Sequence, residues 1–497
     1  MEAGASVTKV NASNKIWTPQ AYLKAPNAEG TDQFGYSVSI SGDTIVVGAN
    51  QEDSNQTFIT TTPGGNDTDV NSNIGAAYVF VRSGETWTQQ AYLKAPNAGA
   101  GDQFGSSVSV LGDLIIVGSP LEDSSQTSVI NSTTVGADSG TATESGAAYV
   151  FVRSGTTWSH EAYLKAPNAG SDDQFGISTS FHSNGLVVGA WFEDSDQTVI
   201  QNLSTGSSNY GIDTSESEEV GAAYIFKRGT WSLEAYIKAP NAGSGDRFGY
   251  SISASHQTIV VGAYQEDSSE TSVINNTTVG ADPGTATDSG AAYVFVSSGT
   301  TWSLEAYLKA PNAGSGDRFG YSVSASFDTI VVGAPREDSN QNSVINNTTV
   351  GADPGTAEDA GAAYVFMRSG TTWSHQAYLK ASNPRSYDYF GHSVSVSGET
   401  IVVGAFNEDD RQFLDGSGSA FVFVRSDNTT WSPQAYLKAP NAESNDQFGY
   451  SVDVSGNTIV VGAMREDSSQ TTITNGTTVG ADPGTASDSG AAYVFVR

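Results

Sequence analysis

The stretch FGYSVSISGDTIVVGA, residues 34–49, returns six more times along the chain in near-copies such as FGSSVSVLGDLIIVGS from residue 104 and FGYSVDVSGNTIVVGA from residue 448. Its first half alternates large and small residues, as a half-buried strand does, and its second half is a short apolar run typical of a buried strand. The turn signal SGD between the two halves favours an antiparallel hairpin. The stretch therefore predicts one hairpin that is repeated seven times.

Each hairpin belongs to a longer repeating unit. A tryptophan precedes AYLKA or AYIKA once in every unit, at Trp17, Trp87, Trp158, Trp231, Trp302, Trp373 and Trp431. Two further segments of each unit, of the types WSHEAYLKA and GAAYVFVR, have the composition of strands, and no segment has a sustained helical period. Four short strands repeated seven times predict an all-β fold, a seven-bladed β-propeller with four-stranded antiparallel blades.

The two ends of the chain predict how the ring closes. The chain begins with the tryptophan segment and finishes at GAAYVFVR, so the last unit lacks its fourth strand. If the N-terminal strand joins the C-terminal blade, no sheet edge of the ring remains open. We expect one propeller domain over residues 1–497, with blades at approximately 32–97, 102–168, 173–241, 246–312, 317–383, 388–441 and 446–497 plus 17–27. An open solenoid is the alternative, but it would need atypical capping units.

The composition disfavours several classes of function. The chain has 54 Asp and Glu against 22 Lys and Arg, a formal net charge of −32, which repels nucleic acid and anionic membrane surfaces. It has no cysteine, so disulfides and thiolate chemistry are excluded. No apolar run approaches the roughly 20 residues of a membrane span, and MEAGASVTKV lacks the apolar region of a signal peptide. We expect no nucleic-acid partner, no transmembrane segment and no organic cofactor.

The repeated stretches FGYSVSISGDTIVVGA and FGYSVSASFDTIVVGAP resemble the FG-GAP repeat, the unit of the integrin α-chain propeller. They are more similar still to the bacterial-type FG-GAP repeats of large surface and secreted proteins. The resemblance covers the chain from Trp17 onward. It implies a seven-bladed propeller with FG opening the innermost strand, and an extracellular or cell-surface adhesion protein. Because propellers carry many unrelated functions, it does not name a ligand.

The loops of this fold should emerge on two different faces. The connections that enter FG and that follow VVGA lie on one face, and the short turns of the SGD type lie on the other, because neighbouring strands are antiparallel. Most of the acidic residues fall in the first set of loops, which is long and variable. We therefore expect a strongly acidic loop face, and binding residues usually project from such loops.

Recurring carboxylates on that face have two interpretations. Every unit carries an Asp two positions before the Phe of FG and an acidic ED pair after VVGA. In the structural interpretation these side chains accept hydrogen bonds from loop backbone and brace adjacent blades, together with the Lys of AYLKA. In the functional interpretation they bind Ca²⁺ with a later loop element such as GADPG, because calcium takes six to eight oxygen ligands.

The calcium interpretation names specific ligands in four units. They are Glu122, Asp123, Asp138, Glu266, Asp267, Asp282, Glu337, Asp338, Asp353, Glu466, Asp467 and Asp482. Integrin-type repeats that bind calcium carry a loop similar to DxDxDG between the first and second strands. This chain has SGDT, SHQT, SFDT or SGNT there, with too few carboxylates. The departure moves any metal to the longer loop. The sixth unit lacks the insert, so a blade can form without it.

Positions that differ among the repeats are candidates for specific recognition. The residue after VGA or VGS is Asn50, Pro120, Trp191, Tyr264, Pro335, Phe406 and Met464 in turn. The predicted ligand-binding residues are Trp191, Phe192, Tyr264, Phe406 and Met464, since exposed rings can stack on a sugar or anchor a protein. The alternative is that these side chains cover neighbouring blades.

The sequence favours a binding protein over an enzyme. Its five histidines have no metal-ligand spacing, and no GxSxG elbow is present. We expect a non-enzymatic extracellular or cell-surface binding module, monomeric or part of a larger surface protein, that presents the acidic loop face to a protein or glycan partner. The alternatives are a lectin with several equivalent sugar pockets and a structural spacer domain.

Overall fold

The regular elements of the structure, a computed structural model, are strands arranged in seven sheets. The structure describes residues 16–62, 72–132, 135–136, 140–195, 197–203, 219–275, 279–280, 284–346, 350–351, 355–409, 415–427, 429–477, 479 and 484–497. Each sheet contains four consecutive antiparallel strands, and the sheets pack around one axis. The prediction of an all-β seven-bladed propeller is confirmed. Within the described ranges, no helix is long and apolar enough to cross a membrane.

In each of the first four blades, the strand nearest the axis comes first in the chain. The first strand of the chain, which belongs to the last blade, is β1 (Thr18–Leu23). Blade 1 contains β2 (Ser37–Ser41), β3 (Thr44–Ala49), β4 (Ala76–Ser83) and β5 (Thr86–Leu93). Blade 2 contains β6 (Ser107–Leu111), β7 (Leu114–Ser119), β8 (Ala147–Ser154) and β9 (Thr157–Leu164). Blade 3 contains β10 (Phe175–His182), β11 (Gly185–Ala190), β12 (Gln201–Asn202), β13 (Ala222–Lys227) and β14 (Leu233–Ile237). Blade 4 contains β15 (Ser251–Ser255), β16 (Thr258–Ala263), β17 (Ala291–Ser298) and β18 (Thr301–Leu308).

The remaining three blades repeat this pattern. Blade 5 contains β19 (Ser322–Ser326), β20 (Thr329–Ala334), β21 (Ala362–Ser369) and β22 (Thr372–Leu379). Blade 6 contains β23 (Ser393–Ser397), β24 (Thr400–Ala405), β25 (Ser419–Arg425) and β26 (Trp431–Leu437). Blade 7 contains β27 (Phe448–Ser455), β28 (Thr458–Ala463), β29 (Thr474–Asn475) and β30 (Ala491–Val496), and β1 joins it. The short strands β12 and β29 add a fifth, outer strand to blades 3 and 7.

The N-terminal strand closes the ring as the sequence predicts. Strand β1 pairs antiparallel with β30, with Thr18 opposite Val496 and Leu23 opposite Ala492. The indole Nε1 of the buried Trp17 donates a hydrogen bond of 2.8 Å to Gln434 in blade 6. Blade 7 therefore has its fourth strand, and its inner strand contacts the inner strands of both blade 6 and blade 1.

The repeated glycines let neighbouring blades approach closely near the axis. A Cβ on Gly262 of β16 would lie 2.0 Å from the carbonyl oxygen of Gly320 in the next blade. The Ser251 hydroxyl donates to that same carbonyl at 2.8 Å. Equivalent serine hydroxyls donate to the FG glycine of the next blade at every junction, from Ser37, Ser107, Ser178, Ser251, Ser322, Ser393 and Ser451. The opening hairpin recurs because each copy supplies one such junction.

The hydrophobic core lies between adjacent blades. Between blades 1 and 2, for example, Val79 and Leu93 of blade 1 belong to the same buried cluster as Phe104 and Tyr149 of blade 2. The Phe of each FG pair is fully buried, and its ring meets the aromatic rings of the YVF strand at their edges, as Phe104 meets Tyr149 at 5.4 Å. Every sheet is therefore apolar on both faces, which explains why TIVVGA has no polar alternation.

Substitution of an inner-strand glycine should be more costly than substitution of a turn glycine. We expect Gly262→Ala to destabilise the protein by about 3 kcal/mol, because its Cβ would overlap backbone of the next blade. Gly299→Ala, where φ is +70° and the space around the Cβ is open, should cost only about 1 kcal/mol. Urea denaturation followed by tryptophan fluorescence measures both. Equal losses of stability in the two variants would contradict the close-approach argument.

Candidate functional site

Loops leave the propeller on two faces that differ in character. The insert face is the end at which β3 and its equivalents finish and the FG segments begin, and it carries the long connections such as 50–75. The turn face is the opposite end, with two-residue turns such as Gly42–Asp43 between β2 and β3. The described residues that were predicted to bind a ligand or calcium lie in loops of the insert face.

An ion pair, fully buried in six blades and partly exposed at Lys438 in blade 6, connects the outer and inner parts of each blade on the insert face. In blade 4, Lys309 Nζ lies 2.8 Å from Glu266 Oε2, and both side chains have no exposed surface. Glu266 Oε1 accepts hydrogen bonds from the Tyr307 hydroxyl at 2.7 Å and from Asn241 of blade 3 at 3.0 Å. The same lysine–glutamate pair occurs in all seven blades, as Lys24–Glu466, Lys94–Glu52, Lys165–Glu122, Lys238–Glu193, Lys309–Glu266, Lys380–Glu337 and Lys438–Glu408.

The asparagine of each APN segment extends this pair across the blade junction. Asn241 donates to Glu266 and accepts a hydrogen bond of 2.8 Å from the Tyr293 hydroxyl of the following blade. Burial, and secondly the Glu266 carboxylate, raise the pKa of Tyr293 well above its usual value. The tyrosine therefore stays protonated and donates. Each carboxylate thus joins three strands and two blades.

The aspartate of each ED pair braces a loop instead. Asp267 Oδ1 accepts a hydrogen bond from the backbone N–H of Asp288 at 2.8 Å, and Asp123, Asp338 and Asp467 accept from the equivalent N–H groups. The Asp before FG also accepts from backbone, as Asp246 does from the N–H of Gly243 at 2.7 Å. These aspartates therefore accept hydrogen bonds from loop backbone, as the structural interpretation of the recurring carboxylates predicts.

The remaining predicted calcium ligands are the insert aspartates Asp138, Asp282, Asp353 and Asp482, which lie outside the described residues. Within the described part of the chain, no group of three or more His, Asp or Glu side chains is arranged to hold a metal ion. The glutamates Glu122, Glu266, Glu337 and Glu466 already accept hydrogen bonds on both carboxylate oxygens. The calcium prediction therefore depends on the insert aspartates.

An arc of aromatic rings surrounds the axis at the insert face. The residue that follows FG in each innermost strand lies there, and we call the five rings at this position, Tyr36, Tyr250, Tyr321, His392 and Tyr450, the axial cluster. Centroid distances between sequential neighbours are 5.0 Å for Tyr250–Tyr321, 5.1 Å for Tyr321–His392, 4.7 Å for His392–Tyr450 and 5.3 Å for Tyr450–Tyr36. Blades 2 and 3 carry Ser106 and Ile177 instead, which interrupt the arc.

The hydroxyl groups of the axial cluster converge. Burial raises the pKa of Tyr250 well above its usual value, and Tyr321, Tyr450 and Tyr36 raise it further. These neighbours come from blades 5, 7 and 1, so hydroxyl groups from opposite sides of the ring lie close enough to interact electrostatically. The sequence pattern predicts no role for this position, although the residue here varies among repeats that are otherwise nearly identical.

Four of the five predicted ligand-binding side chains pack around this cluster as its rim. Trp191 and Tyr264 lie 5.1 and 4.6 Å from the ring of Tyr250, and Phe406 lies 4.5 Å from that of His392. Phe192 stacks against Trp191 at 4.0 Å. Trp191, Phe192 and Phe406 are half-buried, whereas Tyr264 is only 5% exposed. The fifth predicted residue, Met464, follows β28 in blade 7 and is 7% exposed.

Arginine side chains add positive charge to the rim between blades 3 and 5. The guanidinium of Arg247 lies 4.9 Å from the ring centres of both Trp191 and Phe192. It donates hydrogen bonds of 2.8 Å to the Tyr264 hydroxyl and to Glu219. Arg318 lies 5.5 Å from the ring of Tyr264. The insert face is therefore not uniformly negative, since a cationic and aromatic sector adjoins the axis.

These arginines occupy a position with a left-handed backbone in every blade. The residue before the Phe of FG has a φ between +54° and +59°, at Gln33, Gln103, Gln174, Arg247, Arg318, Tyr389 and Gln447. Such a conformation is uncommon for residues other than glycine, and it tends to persist where surrounding structure holds it. Blades 4, 5 and 6 differ here from the four blades with glutamine, in the same sector as the rim.

His392 is a neutral member of the axial cluster. Its Nδ1 lies 3.1 Å from the carbonyl oxygen of Tyr450, and its Nε2 lies 3.4 Å from the Tyr321 hydroxyl. Nδ1 therefore carries the proton and donates to the carbonyl, while Nε2 accepts from the tyrosine. Burial lowers the pKa of His392 from 6.5 to about 4, so the ring is uncharged at neutral pH.

The lowered pKa of His392 predicts a pH dependence of stability. Between pH 6.5 and 4 the unfolded chain binds a proton at this residue and the native protein does not, so His392 alone should lower the free energy of unfolding of the wild type by up to about 3 kcal/mol as the pH falls. His392→Tyr, which introduces the residue found at this position in four other blades, should remove that contribution. Urea denaturation across this pH range measures it. Tyr450→Phe is the control and should keep the wild-type slope, and an unchanged slope in His392→Tyr would contradict the prediction.

Comparison with known proteins identifies the repeats. Seven regions of the chain match the family model of the FG-GAP repeat, at residues 17–80, 87–151, 158–207, 231–295, 302–344, 373–423 and 431–495. Each region begins at the tryptophan of one unit, and together the regions cover most of the chain. No curated protein matches the sequence. Each matched region begins with the fourth strand of one blade and continues into the next blade, so the seven regions are offset from the seven blades by one strand, and the chain belongs to the FG-GAP repeat family.

Proposed function

We propose that this protein is a non-enzymatic extracellular or cell-surface binding module that holds a protein or glycan partner on its insert face. The partner would contact the rim formed by Trp191, Phe192, Tyr264 and Phe406 around the axial cluster. One observation supports this most: aromatic and arginine substitutions in otherwise similar repeats lie together beside the axis. If these substitutions had no function, we would expect them to be distributed among all seven blades.

The chemistry of the rim suits recognition. Trp191, Phe192 and Phe406 present part of their rings to solvent while the half-buried rings of the axial cluster pack against the rim. Rings fixed in this way lose little conformational entropy when a partner binds, and aromatic side chains together with arginine dominate binding energy at many interfaces. The Arg247 guanidinium adds hydrogen-bond donors to the same surface.

A role without catalysis agrees with the state of the histidines. Burial lowers the pKa values of His160, His182 and His392 to about 4, so none of the three is poised to exchange protons at neutral pH. His160 and His375 pack against the phenylalanine and tyrosine rings of their own blades. These side chains fill the core, and general acid–base catalysis would need other groups.

Truncation of the rim should abolish partner binding. We expect the double variant Trp191→Ala/Phe406→Ala to weaken binding to immobilised cell-surface glycans or matrix proteins at least about 100-fold, a loss typical of removing two anchor residues. Surface plasmon resonance first identifies which of these immobilised molecules binds the wild type, and it then measures the affinity of the variant for the same molecule. Phe58→Ala, which removes an exposed ring elsewhere on the insert face, is the matched control and should bind normally. Equal binding by all three proteins would contradict the proposal.

We propose further that Ca²⁺ binds the inserts through Asp138, Asp282, Asp353 and Asp482, supplemented by loop carbonyl groups. The support comes from the sequence, which repeats a carboxylate within GAD in four units. Hard oxygen ligands from carboxylates and carbonyls are those that calcium prefers.

Calcium should therefore stabilise the native protein. We expect millimolar Ca²⁺ to raise the melting temperature and EDTA to reverse the rise, because a ligand that binds only the native state stabilises it by about 2.7 kcal/mol at 100 times its Kd. Differential scanning calorimetry measures the shift. Asp282→Ala/Asp353→Ala should reduce it, whereas Asp43→Asn on the turn face should not. An identical shift with Mg²⁺, or none with Ca²⁺, would reject the calcium proposal.

A further inference from the structure

Three blades lack glycine at the first position of the inner turn on the turn face: blade 3, which has Ser183, and blades 4 and 5. Blades 1, 2, 6 and 7 carry glycine with a φ between +58° and +61° at the first turn position, as Gly42, Gly112, Gly398 and Gly456. Blades 4 and 5 adopt the same backbone with His256, at a φ of +57°, and Phe327, at a φ of +54°. A left-handed conformation disfavours side chains with a Cβ, and a bulky ring there is an outlier.

The departure does not benefit the core. Phe327 is 62% exposed, and its ring stacks on that of His256 with centroids 4.6 Å apart and an interplanar angle of 37°. Glycine would relieve the backbone strain and remove an exposed apolar ring. Strain of this kind is typical of functional sites. The paired rings are therefore better explained by contact with something outside the chain.

A cleft opens beside these rings because blade 4 lacks an arginine. Six blades carry arginine at the end of the third strand, as Arg82, Arg153, Arg228, Arg368, Arg425 and Arg497. In blade 2, for example, Arg153 lies 5.0 Å from the ring of Trp158 and pairs with Asp113 at 2.7 Å. Blade 4 has Ser297 and Gln257 at these two positions. Ser297 and Gln257 line a cavity of about 550 Å³ between blades 4 and 5.

The walls of this cleft are polar and nearly balanced in charge. Phe327 and His256 border it, and Glu305, Asp328 and Arg368 line it. Arg368 Nε donates to Asp328 at 2.9 Å, and its Nη1 lies 3.4 Å from Glu305, so the three groups are held in place while keeping oxygens and N–H groups for other partners. An adjoining cavity of about 300 Å³ shares His256 as a wall.

We propose that this cleft binds a neutral oligosaccharide of at least two sugar residues, with one sugar ring stacked on Phe327. The exposed face of an aromatic ring packs against the C–H groups of a sugar, and fixed carboxylate, guanidinium and hydroxyl groups match its hydroxyls. Two carboxylates beside one guanidinium disfavour an anionic sugar, and so does the net charge of −32. The adjoining cavity, bordered by Leu111 and Phe181, extends the site for a second residue.

This site differs from the proposed insert-face site in position and number. It lies on the opposite face. Its three distinguishing residues, His256, Ser297 and Phe327, are not repeated at the equivalent positions of the other blades. The structure therefore predicts one sugar-binding site for each chain. A lectin built from equivalent blades would instead have several.

Isothermal titration with cellotriose, maltotriose, mannotriose and chitotriose tests the proposal. We expect at least one trisaccharide to bind the wild type with a stoichiometry of one. Phe327→Gly and Ser297→Arg, which introduce the residues of the other blades, should each weaken that binding at least about tenfold, the loss expected when one stacking or hydrogen-bonding contact is removed. Phe327→Gly should also keep or raise the melting temperature, because it relieves the left-handed backbone.

Two controls separate this site from others. Glu399→Gln, at the equivalent turn of blade 6, should bind the trisaccharide as the wild type does. Trp191→Ala/Phe406→Ala should also bind it normally, so failure of the insert-face proposal would not affect this result. Absence of binding by all four trisaccharides would overturn the proposal, and so would unchanged binding in Phe327→Gly. If Ser297→Arg fails to fold, the binding of the trisaccharide by Phe327→Gly tests the proposal on its own.

Discussion

The buried lysine–glutamate pair is the contact on which the arrangement of every blade depends. Removing two charges from water costs several kcal/mol for each ion, and the pair recovers this only with close geometry and further hydrogen bonds. Glu266 meets that requirement with Lys309, Tyr307 and Asn241, which come from two blades. The glutamate can therefore occupy its place only when the neighbouring blade has docked. Seven such pairs make the junctions between blades specific rather than merely apolar.

The requirements of this ion pair also explain why the recurring carboxylates resemble metal ligands in the sequence. A cation site and a buried lysine both require carboxylate oxygens at fixed positions, and a sequence pattern does not distinguish a Ca²⁺ from an ammonium group supplied by a distant part of the chain. Glu122 and Lys165 lie in different strands and meet only in the folded blade. The structural interpretation of the sequence includes this contact, but the burial of the pair and its link to the preceding blade are visible only in the fold.

Most of the architecture was predictable because it is local and repeated. The strand pattern, the turn residues and the incomplete last unit together indicated both the blades and the closure of the ring by β1. The axial cluster was not predicted, because Tyr250 and Tyr36 lie in distant repeats and meet only when seven inner strands curve around one axis. In the sequence, the turns SHQT and SFDT differ from an integrin-type calcium loop in having too few carboxylates. The strain at Phe327 was hidden, because a backbone angle cannot be read from residue type alone.

Ring closure by β1 also determines how the propeller would respond to mechanical load. Thr18, at the start of β1, lies opposite Val496, near the end of β30. Tension applied through residues 17 and 497 therefore acts at the same end of an antiparallel pair, where it opens the hydrogen bonds one after another instead of shearing them together. Blade 7 is thus the weak point under force, although its core and ion pair resemble those of the other blades. In a surface protein anchored through both ends of such a module, tension would therefore separate β1 from β30 before it disrupted the other blades.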